Sequence, residues 1–465
     1  MFFQKLVVFT KKVYLFILAL ALFWILFSLT ISDVSWQALV AALFLLVVCI
    51  IAGIRDVKYY PIYLFVAMFG LRVFAVLLVD TEPVSDFQVL YSSAKELLNG
   101  YNNMLDSIYY STWAYQAGYV AYLTFLLWIC NSLVFLKIVN CIWGAGICVL
   151  VYLIIKELFD KQVARVVSLG YGLFPFPLLF SSVLSNQIPA AFLFYFGVYI
   201  LLRFYKQRKT PWFYIIPGVI MALGNALRPE GIVFVCAIIG CCILRIQKDK
   251  LKRTIFVVFV FCIAYFATFQ TCSLLVKYTG LNNYGLVNNE PKWKFVLGLN
   301  LETNGQYSQQ DVEDYLGKPD LQSEIIKERF AKFNLSNIGE FLKNKESIIL
   351  SAGDLSWSLQ NWDRQALPYG WIRQLNILYY MFFLVCMSVG VCRTLFDIKQ
   401  DRELLFINIL AITMLVYALI EVQPRYAYML QISVYIVAAE GYELIRQSTG
   451  TIKNWRKYSV SGIKK

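Results

Sequence analysis

Twelve apolar runs, each long enough to cross the roughly 30 Å of hydrocarbon in a bilayer, decide what this chain can fold into. They lie near residues 13–31, 37–54, 60–79, 132–156, 165–183, 187–203, 211–226, 230–246, 254–276, 372–394, 403–420 and 426–446. Lipid offers the backbone no hydrogen-bond partners, so such segments must satisfy their own N–H and C=O groups as helices. The predicted fold class is an all-α polytopic membrane protein with about 12 transmembrane helices. At 59% hydrophobic and 15% charged residues, a water-soluble globular fold is excluded, since it could not bury so much apolar surface. The first run is too long, and too quickly followed by a second, for a cleaved signal peptide; it reads as an anchor.

Residues 117–130 (AGYVAYLTFLLWIC) are also apolar, and everything downstream inverts if they cross. The basic residues resolve this. With 117–130 in the interface, segments 1–12, 55–60, 156–165, 203–210, 245–253, 393–402 and 446–465 face the cytoplasm and hold well over half of the 42 Lys and Arg. The short outside connections keep only Lys95, Arg228 and Arg425. Both termini are then cytoplasmic, and two large extracytoplasmic loops remain, about 80–131 and 277–371. The predicted organisation is two N-terminal helices in 1–59, a transmembrane core in 60–276, the long loop 277–371, and C-terminal helices with a basic tail in 372–465. Within the long loop, 320–350 has apolar residues at helical spacing, predicting one or two helices lying over the membrane.

The net charge of +13 does not imply nucleic acid, because the charges sit between apolar runs and form no basic stripe. All 11 cysteines fall in or beside apolar runs and none lies in 277–371, predicting buried thiols rather than a disulfide framework. The chain has no histidine, which removes a histidine base, histidine metal ligands and every Ser–His or Cys–His pair.

Four places could carry chemistry. Asp86 opens an amphipathic segment directly after a span and a Pro-containing turn, in the pattern Asp86, Ala94, Leu97, Gly100. Ser85 can cap that helix, and an acid in its first turn suits the dipole. Yet a carboxylate fixed at the membrane surface also suits a base. The hairpin SSVLSNQIPAA supplies Asn186 and Gln187, able to bond substrate but not to take a proton. NALRPEGIVF places Arg228 and Glu230 at a helix break, either as an ion pair or as a phosphate-binding fork. IEVQPRYAYML brings Glu421, Arg425, Tyr426 and Tyr428 to the same membrane face. Arg72, mid-span, reads as a buried counter-ion. The stretch 294–315, rich in Gly, Asn, Thr, Gln and aromatics, suits hydroxyl-rich ligands.

Taken in order, SDFQVLYSSAKELLNG, NSLVFLKIVNCIWGAGICVLVYLIIKELF, LSNQIPAAFLFYFGVYILL, LRPEG, LNLETNGQYSQQD, FNLSNIGEFLKNK and QPRYAYMLQ resemble the GT-C superfamily of membrane glycosyltransferases. That superfamily includes protein O-mannosyltransferases and lipid A aminoarabinose transferases, and the resemblance covers most of the chain from about residue 60. It implies a GT-C-like fold with interfacial helices on the two outside loops, and Asp86 as catalytic base. Two departures stand out. Asn186 and Gln187 occupy the hairpin where many relatives have a second acid. The first-loop carboxylates beside Asp86 are at most Glu82 and Asp80, fewer than a hard cation prefers, so catalysis without metal or other cofactor is expected. Spans 13–54 look like additions to the usual core.

The expectation is an inverting membrane glycosyltransferase using a polyprenyl-phosphate-linked sugar and a hydroxyl-bearing glycan, lipid or protein acceptor, working in the bilayer without nucleic acid. Asp86 would be the base, Arg228 and Arg425 would bind the donor phosphate, and Glu82, Asn186, Gln187, Glu230 and Tyr426 would contact substrate. The rivals are a flippase for a lipid-linked glycan, which needs no essential acid at Asp86, and a membrane polysaccharide polymerase or ligase.

Overall fold

The computed structural model describes residues 2–28, 35–245, 247, 250–362, 368–396 and 402–461. Among these it contains 20 α-helices and no strand. α1 (Phe2–Ser28), α2 (Trp36–Ile54) and α3 (Tyr60–Val79) come first, and α4 (Ser85–Leu98), α5 (Ile108–Thr112) and α6 (Ala117–Ile129) fill the first loop. Then follow α7 (Leu133–Leu158), α8 (Lys161–Gly172), α9 (Pro175–Leu179), α10 (Gln187–Lys206), α11 (Ile215–Leu227), α12 (Gly231–Leu244) and α13 (Leu251–Tyr278). The second loop holds α14 (Trp293–Gly298), α15 (Gln309–Tyr315), α16 (Pro319–Ala331) and α17 (Ile338–Ile349), before α18 (Tyr369–Phe396), α19 (Leu404–Leu419) and α20 (Ala427–Ser461). The end of the first apolar run, 29–31, and parts of 245–253, 393–402 and the C-terminal tail lie outside the described residues.

Among the described residues six helices, α2, α3, α7, α10, α13 and α18, are each long and apolar enough to cross a membrane, while α11, α12 and α19 are shorter apolar helices. Run 165–183, read as one span, is a pair of helices bent by 60°. The cause is local: Phe174 precedes Pro175, which disfavours helical backbone at Phe174, and Phe174 is extended at φ −65°, ψ 120°. α6 is 13 residues long, about 20 Å of rise, and packs on α4. Segment 320–350 forms two helices, α16 and α17.

Side chains fix several helix starts. The N–H groups of Ala38, Phe135 and Val163 donate to Ser35, Ser132 and Asp160, which cap α2, α7 and α8. α7 packs against α3, α8 and α10, while α10, α11 and α13 lie side by side. α18 and α20 are in backbone contact: a Cβ at Gly441 would fall 2.0 Å from the Cys386 carbonyl oxygen, the close approach small residues permit between membrane helices. α1 and α2 lie along α18, and α2 also against α8. A separate apolar cluster joins α4 to α6 through Leu90, Ala94, Tyr119 and Leu123, and another joins α14 to α16 through Trp293, Val296 and Ile325.

Two expectations need correction. Arg72 is fully buried in α3, but among the described residues no carboxylate pairs with it. Its guanidinium donates to the Met68 carbonyl at 3.3 Å and occupies the room left by the missing Cβ of Gly144. All 11 cysteines are free, and five are buried, but Cys130 and Cys236 are exposed.

Candidate active site

A cavity of about 940 Å³ lies where α11, α12, α19 and α20 begin or end, bounded on its other sides by the two large loops. Asp86, Asn186, Gln187, Arg228, Glu230, Arg425 and Tyr426 all line it. Glu82 does not: it is exposed in the turn before α4.

The turn that presents Asp86 is held from several sides. α3 stops at Val79, Asp80 turns with φ +38°, and Ser85 enters α4 with φ +52°. Both are non-glycine residues in the left-handed region, which costs free energy unless the surroundings enforce it. The surroundings do so. Lys137, buried at the start of α7, donates to the Thr81 carbonyl. The Thr81 hydroxyl donates to the Ser358 carbonyl at 2.6 Å and lies 3.0 Å from the Ser182 hydroxyl, while Asn361 donates to the Asp80 carbonyl at 3.1 Å. Ser85 does not cap α4 as expected. Val84 is the N-cap and no side chain serves there, because the left-handed backbone at Ser85 already belongs to the helix start.

Asp86 is half-buried, with Oδ2 3.4 Å from an Arg425 guanidinium nitrogen. Arg425 is boxed by three rings, its guanidinium carbon 4.8 Å from the centre of Trp357, 5.3 Å from Phe87 and 5.6 Å from Tyr426. Its buried Nε–H has no hydrogen-bond partner, so donor capacity is left over. Arg228 pairs with Glu230, donates to Asn186 Oδ1 at 3.0 Å and lies 5.4 Å from the Tyr426 ring. The ion pair read as one option at this helix break is therefore present, whereas Arg425 pairs with Asp86 and not with Glu421.

The hairpin amides do something the sequence does not announce. Asn186 accepts from Arg228 and donates to the Leu227 carbonyl at 3.2 Å and to Gln116 at 3.3 Å. Gln187 donates to the Arg425 backbone carbonyl at 3.1 Å. Both are buried, and each bonds one of the two arginines, with further bonds to the Leu227 backbone, Gln116 and Ser185.

Lys294, on α14, was not singled out in the sequence. It pairs with Glu421, whose other oxygen accepts from Gln423. Burial disfavours the Lys294 charge, but the Tyr426 oxygen and the Glu421 carboxylate outweigh it and raise its pKa. Burial likewise works to raise Glu421, but Lys294 overcomes this and holds it below the usual range. Behind them Lys345, on α17, donates to the carbonyls of Gly298, Ala418 and Ile420, stitching α14, α17 and the end of α19 together. The Tyr109 hydroxyl is held well above the ordinary phenol range, by burial first and then by the Asp86 carboxylate, so it stays a neutral hydrogen-bonding group.

Three cations among the described residues thus face the cavity, each matched by a carboxylate: Arg425 with Asp86, Arg228 with Glu230, Lys294 with Glu421. Among the described residues no three Asp, Glu, His or Cys side chains gather as a metal site. A hard divalent cation wants several oxygen ligands, and of the lining carboxylates three are committed to cations while Asp354 accepts from the Ser356 N–H, which does not fit that need. The charge balance differs among the pairs. Arg228 and Lys294 are in tight pairs, but the Asp86–Arg425 contact is long and leaves the guanidinium able to accept an anion and the carboxylate able to accept a proton.

Residues 114–270 match the family described as dolichyl-phosphate-mannose-protein mannosyltransferase. Among solved structures, the archaeal oligosaccharyltransferase AglB from Archaeoglobus fulgidus, in complex with an inhibitory peptide and a dolichol-phosphate, is similar. The identity is 15% and the TM-score 0.50, over 86% of this chain and 52% of that one. The oligosaccharyltransferase of the same organism in its apo form is similar at 13% identity and TM-score 0.50, with the same coverage. The chain spans about half the length of these structures. No curated protein matches the chain in sequence. The resemblance to the GT-C superfamily and the all-α polytopic fold expected from sequence are borne out.

Proposed function

We propose that this chain, of GT-C fold and matching the mannosyltransferase family over residues 114–270, is an inverting membrane glycosyltransferase. It moves a sugar from a polyprenyl-phosphate carrier to a hydroxyl acceptor on the extracytoplasmic face. The observation that carries this reading is the meeting of one available carboxylate, Asp86, with an incompletely bonded arginine in a cavity at the ends of membrane helices. Asp86 takes the proton of the acceptor hydroxyl, whose oxygen attacks the anomeric carbon from the face opposite the phosphate. The sugar–phosphate bond breaks with its electron pair going to the phosphate oxygen. Arg425 and Arg228 hold that phosphate and stabilise its growing charge. In the free protein Asp86 is engaged by Arg425; an arriving phosphate competes for the guanidinium and frees the carboxylate to meet the acceptor hydroxyl.

The distribution of Lys and Arg supports cytoplasmic termini and a cavity on the other side, where nucleotide sugars made in the cytoplasm are not at hand and a lipid carrier is. The hydrogen bonds of Asn186 and Gln187 support a role in aiming the two arginines rather than in touching sugar. The test is consumption of radiolabelled sugars by the purified protein in lipid nanodiscs, comparing polyprenyl-phosphate sugars with nucleotide sugars. Cleavage of a polyprenyl-phosphate sugar is expected. Direct use of a nucleotide sugar, or movement of an intact lipid-linked glycan across the bilayer without cleavage, would contradict the reading.

A further inference from the structure

We propose that the part of the cavity formed by the two large loops is a carbohydrate-binding acceptor subsite, so that the hydroxyl receiving the sugar belongs to a glycan. This rests on the transferase reading above and names the substrate class it leaves open. The cavity is chemically divided. Its charged lining residues are Arg228, Glu230, Glu421 and Arg425 at the helix ends, with Asp86, Lys294 and Asp354 on the loops beside them. The lining residues within 109–116 and 306–316 include no charged group. They are Tyr109, Trp113, Gln306 and Tyr307 above all, with the exposed amide of Asn288 between.

Residues 109–116 and 287–289 are held as one surface. The Tyr115 N–H donates to the Val287 carbonyl at 3.0 Å, and Asn289 donates to the carbonyls of Thr112 and Ser111, so the loops are joined through backbone. Tyr109 and Trp113 meet edge to face at 4.9 Å, and Trp113 packs on the cluster of Trp293 and Val296. Tyr307 is 54% exposed, with its hydroxyl donating to Gln309 at 2.8 Å, which leaves its ring open to a ligand. A sugar has apolar C–H faces and a rim of hydroxyls that both donate and accept. Aromatic faces beside amides, without charge, complement that combination. An extended peptide would instead want unpaired backbone groups along an edge, and an anionic lipid head group would want cations, which the lining residues of 109–116 and 306–316 lack.

The experiment supplies labelled polyprenyl-phosphate sugar to membranes carrying the full-length chain and divides the product into protein, lipid and carbohydrate fractions. Label in carbohydrate is expected. Label in protein or lipid overturns the subsite while leaving the transferase standing, which release of label from the donor by the wild type but not by Asp86→Asn shows separately. In titrations with the isolated acceptor glycan, Tyr307→Ala should raise the acceptor KM roughly tenfold, as loss of one aromatic contact does. The donor KM should not change, and Tyr307→Phe, which keeps the ring, should stay near the wild type. An unchanged acceptor KM in Tyr307→Ala also overturns the proposal.

Discussion

Replacing Arg425 by alanine separates a phosphate-binding arginine from a structural one. In the free protein this side chain makes a single 3.4 Å contact with the half-buried Asp86, worth at most about 1 kcal/mol. Its contacts with Trp357, Phe87 and Tyr426 add about 0.5–2 kcal/mol of cation–π attraction. Stability should therefore fall by only about 1–3 kcal/mol. Catalysis should fall much further, because a preorganised donor aimed at developing charge contributes about 3–4 kcal/mol, or roughly 10²–10³ in kcat. Arg425→Lys should recover part of this, since it keeps the charge but loses the planar fork. The assay is steady-state transfer from a polyprenyl-phosphate sugar in nanodiscs, giving kcat and donor KM, with thermal unfolding of the same preparations. A lowered melting temperature with unchanged kcat and donor KM would refute the reasoning.

Asn186→Ala removes the amide that holds Arg228 at 3.0 Å. A hydrogen bond to a charged group contributes about 1.5–3 kcal/mol, so kcat/KM for the donor should drop roughly 10- to 100-fold in the same assay. Lys137→Met frees the Thr81 turn that presents Asp86; kcat should fall about 10- to 100-fold through misplacement of the base, with donor KM unchanged. Glu346 is pushed up to about 8 by burial from an ordinary 4.5, so the folded protein keeps a proton that the unfolded chain has lost. The stability this gives is complete below about pH 4.5 and is lost as pH rises towards 8. Lys345, pushed down to about 7 by burial, acts in the opposite sense from about pH 7 upward. Between pH 5 and 7 the wild type should therefore lose up to about 3 kcal/mol that Glu346→Gln does not, read as converging melting curves.

Much of this molecule is written locally. Long apolar runs specify helices because lipid leaves the backbone no alternative, and the Pro-flanked Arg228 and Arg425 stand at hairpin tips that a membrane brings to one face. The bend after α8 was also in the sequence, in Phe174–Pro175, but apolar length masked it. Lys294 and Lys137 were not legible. A lysine in a polar loop, or at the start of a span, looks the same whether it meets water or a partner more than 50 residues away, as Lys137 meets Thr81 and Lys294 meets Glu421. Asn186 and Gln187 were found, but their partners, Arg228 and the Arg425 backbone, depend on tertiary packing. Ser85 misled because capping preference assumes extended backbone before the helix, and here the turn imposes φ +52°. Glu82, chosen for its closeness to Asp86 in sequence, is exposed in the segment before helix α4 and does not line the cavity.

Asp86→Asn keeps the size of the side chain and removes its basicity, so donor binding and sugar transfer can be compared on one folded protein. Affinity for the polyprenyl-phosphate sugar should be retained or slightly increased, since Arg425 no longer has a carboxylate competing with the phosphate. Transfer should fall by roughly 10²–10⁴, the usual contribution of a positioned general base. Transfer at the wild-type rate by purified Asp86→Asn, with donor binding intact, would contradict Asp86 as the base and with it the mechanism proposed for this cavity.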